Sequence, residues 1–309
     1  MSASAPSVGL KPQPLRLWLL AARPKTLPAS LAPVLVGTSL ALGAGRFEAL
    51  AFAMALLGAL FIQVGTNLSN DYSDARRGAD SEDRLGPLRV TAGGLLPPRR
   101  VLHATYLAFA LAVLCGIYLI IHAGLILLAV GAASILAGVL YTGGPRPYGY
   151  EGLGELFVFL FFGIVAVVGS WYVQVQRLPA GPFLVAVPVG LLAVAILVVN
   201  NLRDIETDAR VGKRTLAVRL GVARTRALYA LCLAAAYAML PVIWGAGALD
   251  AFALLPLSSA PLALRSARVV ATRRDGPSLN GALAATAQLQ LIFCLLLALG
   301  AIAAGGVRP

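Results

Sequence analysis

The sequence predicts an all-α, polytopic membrane protein with nine transmembrane helices. Three observations predict it. The chain of 309 residues is 59% hydrophobic and 12% charged, about half the charged share of an ordinary soluble domain. Apolar stretches of ~20 residues, enough to cross a bilayer as a helix, recur along its whole length. Of the 25 Lys and Arg residues, all but Arg46, Arg177 and Arg308 fall on alternate loops that share one side with the N-terminus.

Polar, Gly and Pro breaks place the spans at roughly 16–43, 47–72, 99–121, 124–141, 153–176, 181–203, 225–246, 249–268 and 281–305. The first is interrupted by Arg23-Pro24-Lys25 and followed by further spans, so it belongs to the body and is no cleavable leader. The second runs into an acidic segment, and the third follows Arg99-Arg100. Gly143, Gly144 and Gly149 supply turns between the fourth and fifth. Glu151 and Glu155, one turn apart, either cap the fifth against its dipole, the preferred reading, or sit near an aromatic substrate. The sixth ends on a second acidic segment, and a basic loop leads to the seventh. The eighth and ninth are separated by Arg268, Arg273 and Arg274. Residues 1–14, with Pro6, Pro12 and Pro14, read as a loose leader, and 15–309 as a single transmembrane domain. Cys115, Cys232 and Cys294 stand singly in apolar segments and read as core residues.

The charge asymmetry puts the N-terminus and the long loops in the cytoplasm of a multi-pass protein of the cell (inner) membrane. Topology and anionic headgroups account for the net charge of +12 without a nucleic-acid partner.

Negative charge is scarce and concentrated on that same side. Five of the 13 acids (Asp71, Asp74, Asp80, Glu82 and Asp83) lie in NLSNDYSDARRGADSEDRLGPLR, residues 67–89. Asp204, Glu206 and Asp208 lie in NNLRDIETDARVGKRT, residues 200–215. At 100° per residue, Asn67, Asn70, Asp71 and Asp74 share an arc of about 100°, and Asn200, Asp204 and Asp208 one of about 80°. Carboxylates crowded on one stripe repel one another unless cations intervene. Oxygen-only ligands suit Mg²⁺, which typically binds one or two carboxylates plus substrate phosphates. Arg76, Arg77, Arg203, Arg210, Lys213 and Arg214 flank the acids, as the grip on a departing polyanion requires. A diphosphate at the interface with its tail in the bilayer is a polyprenyl diphosphate.

At these residues the sequence resembles the UbiA superfamily of intramembrane aromatic prenyltransferases, and within it the 1,4-dihydroxy-2-naphthoate polyprenyltransferases. The matching pieces are RPKTLPASLAPVLVG (23–37), NLSNDYSDARRGADSEDRLGPLRVTAGG (67–94), YTGGPRPYGYEGLGELFVFLFFG (141–163) and NNLRDIETDARVGKRTLAVRLG (200–221). The resemblance implies nine helices around a central cavity open to the cytoplasmic side and the bilayer, with both acidic segments facing it. It also implies Mg²⁺ as cofactor, and polyprenyl diphosphate and 1,4-dihydroxy-2-naphthoate as substrates. The first motif departs from the superfamily pattern at Gly78, where a third acid is usual, and Asp80 stands in as a substitute ligand.

The expected metal ligands are Asn67, Asp71, Asp74, Asp80, Asp204 and Asp208, with Asp71, Asp74, Asp204 and Asp208 carrying catalysis. Arg76, Lys213 and Arg214 are expected to neutralise the leaving diphosphate, with Asn70, Asn200 and Arg203 beside them. Tyr141, Tyr148 and Tyr150 are placed where an allylic cation forms, and Arg23 and Lys25 where a carboxylate or phosphate binds. Two other classes fit parts of the pattern: a related prenyltransferase acting on 4-hydroxybenzoate or homogentisate, and an ion-coupled transporter. Transporters carry such acids near the bilayer midplane, whereas these stand at helix ends.

Overall fold

The computed structural model describes residues 14–79, 85, 86 and 89–307, without the side chains of Pro14 and Lys25. The expected leader, apart from Pro14, and the segment holding Asp80, Glu82 and Asp83 lie outside the described residues. Every regular element among the described residues is a helix.

The first expected span is two helices, α1 (Pro14–Ala22) and α2 (Leu27–Gly43), bent by 60°. The break is local chemistry. A residue before proline is disfavoured in the helical region, and Arg23 adopts φ 55, ψ 68 ahead of Pro24. A short 3₁₀ turn, Pro24–Thr26, then starts α2.

Helix α3 (Ala49–Arg76) begins on Glu48, whose carboxylate accepts from the backbone N–H groups of Leu50 and Ala51. Its 28 residues span ~42 Å, more than the ~30 Å hydrocarbon core. The last turns, with Asp71 and Asp74, therefore stand beyond the apolar layer. Helix α4 (Pro98–Ala123) packs along α3. Gly124, at φ 103, turns the chain into α5 (Ile126–Leu140).

The fifth expected span is continuous from Gly154 to Val175, but changes pitch: α6 (Gly154–Val158), a π-helical stretch (Phe159–Val165) and α7 (Ala166–Val175). Gly163 and Gly190 meet there, and a Cβ on Gly163 would stand 2.7 Å from the Gly190 Cα. Glycines let membrane helices approach this closely.

Helix α8 (Ala180–Arg203) is the centre of the larger core, with Val185, Val189, Leu192, Ala195, Val198 and Val199 all fully buried. It packs against α10 and α12. Past Asp204 comes the short α9 (Ile205–Arg210), then α10 (Leu216–Gly245), nine residues ahead of the expected start at 225. Gly221, at φ 73, kinks that early part. A 3₁₀ stretch, Ala251–Ser259, leads into α11 (Ala260–Thr272), and Asp275 caps α12 (Gly276–Ala303) by accepting from the Ser278 N–H at 2.8 Å. The bundle closes on itself where Gly306 packs against Gly43 and Ala44 at the end of α2.

Of the nine expected spans, six are single helices long and apolar enough to cross a bilayer, and the bent α1–α2 pair makes a seventh. Helix α5 has 15 residues, ~22 Å at the α-helical rise, too short to cross alone. The 251–272 segment is part 3₁₀, broken by Pro256 and Pro261, and α11 carries Arg265 and Arg268.

Candidate active site

Helices α2 to α8 surround a cavity of about 580 Å³. Its depth is apolar, walled by residues such as Ile62, Ile117, Ile135 and Phe162. Its polar end lies where α3 and α8 terminate, and there Asn67, Asn70, Asn200, Asp204, Asp208 and Lys213 line it.

The two acidic segments meet at Asp74. This carboxylate is 1% exposed. Its Oδ2 accepts from Lys213 Nζ at 3.3 Å and from Arg89 Nη2 at 3.1 Å, while its Oδ1 accepts from the Tyr150 hydroxyl at 2.7 Å. Lys213 comes from the second segment, 139 residues along the chain, and its ammonium lies 4.8 Å from the centre of the Tyr150 ring. One buried carboxylate thus ties together both acidic segments and the loop before α6.

Asp71 is equally buried but works on the backbone. Its Oδ1 accepts from the Thr91 N–H at 2.9 Å and its Oδ2 from the Val90 N–H at 3.1 Å. The segment leading to α4 is held down by this carboxylate and by a small core of Ala21, Leu68, Val90, Leu96 and Val101. In the second segment Arg203 clasps Asp204 through Nε at 2.8 Å and Nη2 at 2.5 Å, and reaches Asn200 Oδ1 at 3.0 Å and Asn280 Oδ1 at 2.6 Å. Asp208 lines the cavity half-buried.

The amides are committed too. Asn67 donates to the Ala22 carbonyl at 2.9 Å, pinning the bend between α1 and α2, and Asn70 Oδ1 accepts from Thr142 at 2.9 Å. That bend brings Arg23 to the cavity wall. Aromatic rings form one side: Tyr148 stacks on Phe157 with centroids 4.0 Å apart and meets Tyr141 edge-on at 5.4 Å. Burial pushes the Tyr148 and Tyr141 phenols above their ordinary values, so both stay neutral.

Not every expected residue reaches the cavity. Arg76 is exposed and stacks on Tyr72. It follows Asp74 by two residues, which turns it ~200° round the helix. Arg214, in the non-helical link between α9 and α10, is exposed beside buried Lys213. Arg203 acts behind the wall, through Asp204 and Asn200. The Lys25 side chain and Asp80 lie outside what the structure describes. Glu155, expected as a helix cap, makes no capping bond and is bound by Asn201 instead. Sequence reasoning passed over Arg89. Its Gly-Pro-Leu-Arg setting was visible, but nothing local says that it folds back 15 residues onto Asp74.

Among the described residues no three His, Cys, Asp or Glu side chains converge on one point. The reason is visible: Asp74 and Asp204 face Lys and Arg, and Asp71 faces backbone amides. The donors are nevertheless all hard oxygens, and a Mg²⁺ ion that shares its shell with diphosphate and water needs only one or two carboxylates. The donor set fits that ion.

Comparison with known proteins agrees with this arrangement. The family model described as the UbiA prenyltransferase family matches residues 30–292. A 1,4-dihydroxy-2-naphthoate octaprenyltransferase of Mycobacterium tuberculosis is 45% identical, across 93% of this chain and 97% of its own length. Its Escherichia coli counterpart is 39% identical across 92% and 94%. A UbiA homolog from Archaeoglobus fulgidus bound to GPP and Mg²⁺ superposes with a TM-score of 0.67 at 17% identity, covering 93% of this chain and 99% of that one. The apo structure of a UbiA homolog from Aeropyrum pernix gives 0.68 at 17% identity, covering 91% and 98%. The chain therefore belongs to the UbiA prenyltransferase family.

Proposed function

We propose that this protein transfers a polyprenyl group from polyprenyl diphosphate to 1,4-dihydroxy-2-naphthoate, releasing diphosphate and CO₂ and yielding demethylmenaquinol for menaquinone synthesis. The observation that carries the reading is the Asp74–Lys213 link, whose lysine lines the polar end of an otherwise apolar cavity while Asp74 lies buried behind it. A charged head and a long hydrocarbon tail are what such a cavity accommodates. The relatives that share 45% and 39% of their residues over more than nine-tenths of the chain bear the name of this activity.

Asp74, Asp204 and Asp208, with Asn67, Asn70 and Asn200, are the residues that would hold Mg²⁺, and Asp71 braces them from behind. When bound, Mg²⁺ supplies positive charge to the diphosphate oxygens and so eases departure of the leaving group. Lys213 and Arg89 lie against the same carboxylate and offer their charge to the diphosphate as the allylic carbon–oxygen bond breaks. Tyr141 and Tyr148, neutral, with Tyr148 packed against Phe157, offer their rings to the allylic cation. The apolar walls keep water from it. Tyr150 donates its hydroxyl to Asp74, so it positions the carboxylate. Arg23 supplies a cation at the cavity wall for the carboxylate of the acceptor. The polar end faces the cytoplasm of the cell (inner) membrane, in keeping with the distribution of Lys and Arg.

The test is to incubate membranes carrying the protein with Mg²⁺, 1,4-dihydroxy-2-naphthoate and prenyl diphosphates of several lengths. The expected product has the mass of prenylated acceptor minus CO₂, and a chelator abolishes it. Product from 4-hydroxybenzoate alone, or a carboxylated product, would overturn the assignment.

A further inference from the structure

Glu155 is a carboxylate buried in a membrane helix that the mechanism above leaves unused. It is the second residue of α6 and 8% exposed. Its Oε1 accepts from Asn201 Nδ2 at 3.0 Å, while its Oε2 is buried with no hydrogen-bond partner among the described residues. An unsatisfied polar atom in an apolar surrounding is costly, and ionisable groups inside membrane helices generally mark function.

The surroundings show which way it faces. Phe157 and Val158, two and three residues on in the same short helix, line the cavity. Across from it on α8, Leu197 and Asn201 line the same cavity. The Tyr141 hydroxyl lies 3.5 Å from where a Cβ on Gly154 would stand. Glu155 is thus set directly behind a wall made of Asn201, Tyr141 and Leu197.

Glu155 also ends a directed chain of donors. Arg203 Nη2 donates to Asn200 Oδ1 at 3.0 Å, Asn200 Nδ2 approaches Asn201 Oδ1 at 3.5 Å, and Asn201 Nδ2 donates to Glu155 Oε1. Glu155 Oε1 is the acceptor in that last bond. It therefore fixes which way the Asn201 amide points, with N–H toward Glu155 and the carbonyl oxygen away from it. The 3.5 Å approach from Asn200 leaves that oxygen with accepting capacity to spare.

We propose that Glu155 is a positioning residue for the aromatic acceptor. It locks Asn201 so that Asn201 Oδ1, at the cavity wall, accepts a hydrogen bond from a ring hydroxyl, seating a hydroxylated bicyclic ring against Tyr141, Tyr148 and Phe157. The inference rests on the prenyl-transfer reading above. It adds an acceptor-binding role for Asn201 and a reason for the buried acid. Steric fit alone discriminates poorly between rings that differ by a hydroxyl, whereas a site built to accept a hydrogen bond discriminates strongly.

The experiment is steady-state kinetics on the full-length protein in membranes, varying acceptor and donor separately. In Glu155→Gln the amide can turn its N–H₂ toward Asn201 and reverse the orientation. KM for 1,4-dihydroxy-2-naphthoate is expected to rise about tenfold, with KM for the prenyl diphosphate changed by less than about twofold. Asn201→Ala, at the cavity wall, is expected to show the same acceptor-only loss, which keeps the test decisive if Glu155→Gln folds poorly. A second arm uses 1-hydroxy-2-naphthoate and 4-hydroxy-2-naphthoate as acceptors. Wild-type protein should penalise one of them about tenfold, and Glu155→Gln should lose that preference, because analogue and substitution remove the same hydrogen bond. Equal losses for donor and acceptor, or an undiminished preference in both variants, would overturn the proposal. A wild-type protein that makes no product from 1,4-dihydroxy-2-naphthoate would instead defeat the function on which it rests.

Discussion

At the scale of single residues, acids that look equivalent in the sequence have different duties. Asp71 and Asp74 are one turn apart on the same stripe, yet Asp71 holds the backbone N–H groups of Val90 and Thr91 while Asp74 gathers Arg89, Lys213 and Tyr150. Replacing Asp71 with Asn turns one acceptor oxygen into an N–H₂ that confronts a backbone N–H. A cost of about 1–3 kcal/mol follows, to be read as a lower thermal midpoint in detergent together with lost activity. Asp208 lines the cavity and is only half-buried, so Asp208→Asn isolates the chemistry. Turnover is expected to fall on the order of 10²- to 10³-fold, with the thermal midpoint within about 3 °C of wild type. Near-normal turnover in that variant would remove Asp208 from the site. Helical spacing alone revealed the two oxygen stripes. It did not reveal the split of duties, because Arg89, Val90 and Thr91 return to α3 through a loop whose path no local pattern encodes.

At the scale of elements, two glycines show how one substitution tests two kinds of contact. Gly131 on α5 lines the cavity, and a Cβ there would meet nothing within 4 Å. Gly131→Leu is expected to leave stability unchanged while curtailing use of long prenyl diphosphates more than short ones, as product masses from a ladder of donors would show. Unaltered length preference would mean the tail runs elsewhere. Gly163, pressed against Gly190 where the π-helical stretch crosses α8, has no such room. There the same change forces two helices apart, at a cost of about 1–3 kcal/mol visible as a lower melting temperature. The apolar runs made these helices plain from composition. The bend at Arg23 was signalled by Pro24, whereas the pitch change at Phe159–Val165 and the kink at Gly221 were hidden, because no local pattern marks them.

At the scale of the whole molecule, the distribution of Lys and Arg predicts a sidedness that labelling can check. Cys115, Cys232 and Cys294 are all buried, so they should stay silent toward an impermeant maleimide, and reporters can be added without removing them. Arg99 and Arg177 are exposed at opposite ends of the bundle's helices. Arg99→Cys is expected to react only from the cytoplasmic face, and Arg177→Cys only from the other. Labelling of both from one face would refute the topology. The membrane class was legible from the sequence because hydrophobicity answers directly to the bilayer, and Lys/Arg placement supplies the sidedness that labelling would check. A central cavity was implied by the resemblance and the 124–141 span was read from its apolar run, but the lining was not legible, since it is assembled from helices remote in sequence.

The pairing of Asp74 with Arg89 and Lys213, and of Asp204 with Arg203, has a consequence for the life of the protein before it meets a substrate. Each acid arrives with its own counter-ion already in place, so the bundle can assemble without waiting for a divalent ion to quench repulsion. Folding of the bundle is accordingly expected to need no added magnesium, which refolding or insertion in the presence of a chelator would check.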